Sequence, residues 1–244
     1  SLADNVINPI TGQLFSIPSL DMGGYADLRF ILREGGSMGD LYSRTDLRRD
    51  ANGAIYMDES NNVYTQKIDN PDSYIKLGSV LPKGNLAWRN NFMWKNFHVG
   101  FMISARLGGV VFSRTQAILD KFGVSEASAD ARDNGFVLIN GNDRVNPENW
   151  YTTVGSTAVP QYYTYSATNV RLQEASIGYT IPRKWLANVC DIKVSLIGRN
   201  LWMIYNKAPF DPEAVASTDN FYQGIDNFMM PSLRNVGFSL NFKF

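Results

Sequence analysis

FHVGFMISARL, residues 97 to 107, alternates one residue at a time. Phe97, Val99, Phe101, Ile103, Ala105 and Leu107 fall on one phase, and His98, Gly100, Met102, Ser104 and Arg106 on the other. Successive side chains of a strand point to opposite faces, so this period of two predicts a strand with one apolar face and one small or polar face. Just upstream, residues 85 to 94 set Leu86, Trp88, Phe92 and Trp94 against Asn85, Arg89 and Asn91. Lys95-Asn96 is short enough to join the two runs as a hairpin.

Three later runs repeat the pattern. Ala175, Ile177, Tyr179 and Ile181 alternate with Glu174, Ser176, Gly178 and Thr180, and Ile192, Val194 and Leu196 stand against Lys193, Ser195 and Arg199. At the end of the chain Val236, Phe238, Leu240, Phe242 and Phe244 alternate with Gly237, Ser239, Asn241 and Lys243. Ala26 to Leu32 is a weaker candidate strand. Short links (Lys95-Asn96, Pro182 to Asp191) alternate with long polar ones (Gly108 to Thr168, Asn206 to Ser232), the asymmetry of outer-membrane barrels with short periplasmic turns and long external loops. Within the first long link, Ser113 to Phe122 has helical spacing and is followed by Gly123 as a stop.

The chain has 244 residues, 44% of them hydrophobic, and 23 basic against 23 acidic residues. A zero net charge advertises neither nucleic acid nor an anionic surface, so no nucleic-acid partner is expected. Cys190 is the only cysteine, which excludes an intrachain disulfide and a structural cysteine-based zinc site. No window offers the ~18 apolar residues of a membrane-spanning helix. A membrane location therefore requires a barrel. The N-terminus carries no signal-peptide pattern, which is expected of a mature product or a C-terminal fragment.

A soluble, carbohydrate-binding β-sandwich would also alternate, because one face of each strand covers the core. Three details favour the barrel. Aromatics (Trp88, Trp94, Tyr179, Trp202) sit at strand ends, the strands approach the ~10 residues needed to cross a membrane, and the chain stops on an aromatic at the apolar phase. On this reading residues 1–244 form an all-β, antiparallel transmembrane barrel part, with His98, Arg106, Arg171, Glu174 and Arg199 facing the lumen.

No catalytic or metal site is expected, and no cofactor. His98, the only histidine, lies on a polar strand phase with no G-x-S-x-G elbow in the chain, and is read as structural. The acid pairs Asp211 with Glu213 and Glu126 with Asp130 are read as solvated loop acids. Trp150, Tyr151, Tyr162, Tyr163 and Tyr165 in the longest loop, with Phe221 and Tyr222 in the last, are candidates for ligand contact, since flat aromatic faces stack on sugars or apolar side chains. Packing of the loop on itself is the competing reading.

Several of these segments resemble the SusC-like (SusC/RagA) TonB-dependent outer-membrane proteins of the Bacteroidetes: APFDPE (208–213), MPSLRNVGFSLNFKF (230–244), VRLQEASIGYTIP (170–182), IGRNLWMIY (197–205), NNFMWKNFHVGFMISARLGG (90–109) and GGSMGDLYSR (35–44). The matches span nearly the whole chain in the family's order. The resemblance implies the C-terminal strands of a barrel of about 22 strands, whose plug and N-terminal strands lie outside this chain. It implies active import of an oligosaccharide or oligopeptide across the outer membrane, with the TonB complex, a SusD-like surface lipoprotein and a dimer of such pairs as partners. Phe238, Leu240, Phe242 and Phe244 would be the barrel-assembly signal. A passive porin-like barrel is the other membrane reading. Five or six strands leave two open edges that hydrocarbon does not tolerate, so the rest of the barrel must come from elsewhere.

Overall fold

The computed structural model describes residues 3–156, 159–186, 189–217, 219 and 222–243. They form two compact units. The first comprises Ser1–Leu81, Val110–Tyr165 and Val215–Met229, and the second Pro82–Gly109, Ser166–Ala214 and Met230–Phe244.

The first unit gathers the N-terminal third and the bulk of both long connections around one core. Strands β1 (Ser19–Tyr25), β2 (Leu28–Arg33), β3 (Asp40–Ser43) and β4 (Ile75–Ser79) pair in that order as an antiparallel sheet. Ala26 to Leu32, the weak sixth strand of the sequence reading, thus contributes β2 to this separate sheet. All four residues of β3 are buried, and Leu28 and Phe30 of β2 are fully enclosed. A strand covered on both faces shows no alternation, which is why the period-2 reading is weak here. Leu41, Leu47, Val63 and Val80 share the core with Phe112, Ala117, Val145, Val154 and Tyr163 from the longest connection and Ile225 from the last. Fully burying side chains of this size contributes ~1.5–3 kcal/mol each, enough to order connections that would otherwise be loops.

Among the described residues this unit also holds three α-helices, beside several two- and three-stranded ladders, and each helix has its own start and stop. Helix α1 (Arg114–Lys121) begins where the Ser113 hydroxyl accepts from the Gln116 N–H, and Gly123 at φ 66° follows it. Helix α2 (Glu126–Asn134) is capped by Ser125 and ends on Gly135 in the left-handed region, and α3 (Pro147–Val154) is capped by Asn146 with proline in its first turn. Each cap satisfies N–H groups that the first turn leaves without partners.

The second unit is an antiparallel meander of β5 (Gly84–Trp94), β6 (Phe97–Leu107), β7 (Asn169–Ile181), β8 (Asp191–Asn206) and β9 (Asn235–Lys243), each strand pairing with the next in sequence. The phases read from sequence are carried across all four pairings. Phe97 faces Trp94 and Tyr179, Val99 faces Phe92 and Ile177, and Ile177 faces Leu196, which faces Phe238. On the other face Gly100 meets Asn91 and Ser176, and Ser195 meets Gly178 and Ser239. Asn90 interrupts the apolar face, opposite Phe101. Lys95, at φ 54°, takes the left-handed conformation that closes the β5–β6 turn.

Register irregularities escaped the period-2 reading. Between Glu174 and Leu172 the register of β7 slips past Gln173, so that Arg171 pairs with Ser104 on the same face as Glu174. An odd spacing in a regular strand would put the two charges on opposite faces; the bulge reunites them. In β8, Asn200 at φ 51° lies in a second register shift between Arg199 and Trp202.

All eight charged residues within these strands now fall on one face: Arg89, Arg106, Arg171, Glu174, Asp191, Lys193, Arg199 and Lys243. The opposite face carries none, and its aromatics are open, with Trp88 60%, Trp94 69% and Phe238 77% exposed. A soluble sandwich covers such a face with a second sheet; among the described residues of this unit none covers it, which fits a lipid-facing wall. Among the described residues no helix is long and apolar enough to cross a membrane.

Candidate functional site

The bulge at Gln173 turns Arg171 into the hub of the polar face. Its guanidinium donates to Asp211 Oδ1 at 2.9 Å and to Ser232 Oγ at 3.4 Å, and lies 3.2 Å from Glu213 Oε2. Asp211 also accepts from the N–H groups of Glu213 and Ser232, both at 3.1 Å. Asn206 donates to the Ala208 and Phe210 carbonyls, and Asn169 to Glu213. The APFDPE and MPS segments are thereby tied to β7 and β8 at the ends of the last connection.

Asp211 is therefore not the solvated acid of the sequence reading: its side chain is 8% exposed and that of Arg171 4%. Burial alone would raise the Asp211 carboxyl. Hydrogen bonds from Ser232, the Glu213 backbone and Arg171, together with the arginine's charge, outweigh it and hold the group below the ordinary carboxylate value. Beside this clamp a cleft of about 370 Å³ is lined by Trp202, Phe210, Pro231 and Arg234 among others.

Further along the same face Glu174 lies 2.8 Å from Arg89 of β5 and 3.4 Å from Arg199 of β8, a three-strand bridge whose arginine side chains stay 59% and 67% exposed. His98 shares a 2.9 Å hydrogen bond with Thr180, and Ser104 donates to Gln173. Arg106 stands opposite Asn85 and Asn169. The structure thus brings His98, Arg106, Arg171, Glu174 and Arg199 to one face. His98 meets a hydroxyl in a strand ladder, and among the described residues no carboxylate is hydrogen-bonded to its ring.

The loop aromatics divide. Tyr163 is 3% exposed, and its hydroxyl donates to the buried Asp120 at 2.9 Å, so it is a core residue with no face left for a ligand. Burial, reinforced by Asp120, pushes its phenol well above the ordinary value. Trp150 and Tyr165 are half-buried against the same core, and the Tyr151 hydroxyl is taken by the Ala127 carbonyl. Tyr162 meets Trp150 edge to face at 5.5 Å and is 38% exposed; Tyr222 is 48% exposed. Phe221 and Phe244 lie outside the described residues. Phe238, Leu240 and Phe242 all stand open on the apolar face. Among the described residues no cluster of three or more His, Cys, Asp or Glu could hold a metal ion.

No family model matches the chain. It is 27% identical over 207 residues to the "TonB-dependent receptor P3" of Formosa agariphila, a match covering 80% of this chain and 19% of that protein. Among solved structures it is similar to the RagAB peptide importer in its "closed-closed" state, with a TM-score of 0.59 and 15% identity over 96% of this chain and 26% of the other. The "open-open" state gives 0.55 and 14%, over 84% and 23%. The chain is similar to the SusC-like TonB-dependent transporters. Its fold is that of a barrel part from such a transporter, and it spans about a fifth of the curated relative's length. The relatives are named as a receptor and an importer, not as enzymes. Within this likeness, APFDPE and MPSLRN, the family-like segments, are the partners of the Arg171 clamp.

Proposed function

We propose that this chain supplies wall and external loops to a TonB-dependent importer in the outer membrane of a Bacteroidetes-type bacterium. One observation carries the reading: every strand charge stands on one face of a sheet whose other face is apolar and uncovered. Lipid tolerates only the second face, so the first lines the interior, with His98, Arg106, Arg171, Glu174 and Arg199 toward the lumen or a plug. The chain is the C-terminal part of the barrel, and its tail, Phe238 to Phe244, is the signal for assembly. The plug and the remaining strands are supplied by the rest of the protein, and TonB acts through them.

A SusD-like lipoprotein closes over the loop side, and two such pairs associate. The cargo is an oligosaccharide, held by the exposed rings of Tyr162 and Tyr222 with Trp150, Tyr151 and Tyr165 at the rim; an oligopeptide is the alternative, since the RagAB neighbour is described as a peptide importer. Uptake of labelled oligosaccharides and oligopeptides by cells carrying the full-length protein, with and without TonB, tests this. Uptake that needs both the protein and TonB supports it. TonB-independent uptake leaves a passive porin-like barrel, and full-length protein that stays soluble without detergent leaves the sugar-binding sandwich.

A further inference from the structure

The apolar face of the sheet changes height along the strands. At the short-turn end Trp94, Phe97 and Tyr179 form a ladder of rings across β5, β6 and β7, with centroids 6.4 and 4.8 Å apart. Four residues further along, ~13 Å by the strand rise, β7 and β8 pair Ala175 with Gly198. There the face opens into an apolar groove of about 380 Å³, where the small Ala175 and Gly198 lie among the taller Phe101, Ile177, Leu196 and Leu201. Leu201 leans over Gly198, so that a Cβ on the glycine would lie 2.6 Å from its Cδ2. The ring ladder ends in cations. Lys95 sets its ammonium 5.2 Å from the centroid of the Trp94 ring, which keeps the charge beside the apolar face. The Thr180 N–H donates to the Asn96 carbonyl, so the turn that carries Arg183 and Lys184 follows directly beside it. The two short turns hold three basic residues and one acid, Asp191, which Arg183 takes at 3.2 Å. Among the described residues neither Lys95 nor Lys184 is paired with a carboxylate.

We propose that this groove and its basic rim hold an anionic phospholipid of the periplasmic leaflet. Its phosphate lies on Lys95 and Lys184, and one acyl chain runs past the ring ladder into the groove. The inference rests on the barrel-wall reading, which turns this face to lipid and away from any plug. The strands that carry the groove, β7 and β8, have both their neighbours within this chain, so no further strand of the barrel comes between them. Rings such as Trp94 and Tyr179 favour the boundary between hydrocarbon and headgroups, where a chain descends from its phosphate. The groove takes an acyl chain of any lipid, and the lysines choose the headgroup, since each basic side chain near an anionic leaflet is worth about fivefold in partition.

The test is native mass spectrometry of the full-length protein released from nanodiscs made of phosphatidylethanolamine and phosphatidylglycerol in equal parts, counting the lipids it retains. We expect phosphatidylglycerol to be kept over phosphatidylethanolamine by about tenfold. The K95Q/K184Q variant should lose most of that ratio, and K95R/K184R should keep it, which separates charge from folding. Ala175→Phe fills the groove and should lower retention of both lipids. If K95Q/K184Q keeps the preference, or Ala175→Phe keeps the retained lipid, the proposal is overturned and the barrel reading stands. A pair of copies that Ala175→Phe dissociates assigns the groove to a second copy of the protein and overturns the proposal as well. Full-length protein that stays soluble without detergent and takes up no lipid overturns both.

Discussion

Arg171 and Asp211 lie forty residues apart in the chain and meet at 2.9 Å, each side chain less than a tenth exposed. Removing the arginine leaves a buried carboxylate without its counter-charge, which typically costs ~3–5 kcal/mol. Arg171→Met should therefore destabilise the full-length protein by about that much and expose residues 207–214 to protease. Thermal unfolding in detergent and limited proteolysis check both. The R171M/D211M double variant should recover part of the loss, because it removes both buried charges.

Phe238 and Ser239 are neighbours on β9 whose side chains take opposite faces. Phe238→Arg puts a charge into lipid and should cost ~2–4 kcal/mol, whereas Ser239→Arg adds one more cation to a wet face and should cost little. Urea unfolding of the folded barrel in micelles reads the difference.

The Tyr163–Asp120 bond and the Trp150–Tyr162 pair separate structure from recognition within one loop. Tyr163→Phe removes a donor from the buried Asp120 and should cost ~1–3 kcal/mol without changing cargo affinity. Tyr162→Ala should lower cargo affinity several-fold with little change in stability. Thermal unfolding and equilibrium binding to the full-length protein distinguish the two outcomes.

Asp40 gives the loop-built unit a pH dependence. Burial raises its carboxyl, but hydrogen bonds from Lys76 and Ser37 and the charge of Lys76 outweigh that and hold it below the ordinary 3.8. The folded state thus binds this proton less tightly than the unfolded chain does. The resulting stability is fully present above the unfolded value and is lost as pH falls through the folded one. Asp40→Asn should flatten this acid limb, seen as unfolding midpoints between pH 6 and 3.

Much of the wall was legible in the sequence because a half-covered strand writes its environment every second residue, as in Phe97 to Leu107. The α1 helix was legible through the spacing of Ala117, Ile118 and Phe122 and the stop at Gly123, although Phe122 proves to be the exposed residue just past the helix end. Of the sheet of β1 to β4 only β2 was legible, as the weaker run Ala26 to Leu32; β3, buried along its whole length, carries no alternation. The role of Asp211 was hidden because its partner is forty residues away and reaches it only through a bulge at Gln173, which nothing local announces. The aromatic loop residues could not be sorted from composition alone: Tyr162 and Tyr163 are adjacent, and only packing makes one a core residue and the other a surface.

Whether lipid covers the apolar face of the sheet can be read from the accessibility of both faces in the full-length protein reconstituted in lipid nanodiscs. Spin labels would be placed one at a time at Val99, Ile177 and Leu196, and at His98, Ser176 and Ser195. A barrel wall requires that the first three collide freely with oxygen dissolved in lipid and little with a water-soluble nickel complex, and that the second three do not show this lipid pattern. Labels at Val99, Ile177 and Leu196 shielded from both reagents would mean that protein, not lipid, covers the apolar face, and would contradict the assignment of this sheet to a barrel wall.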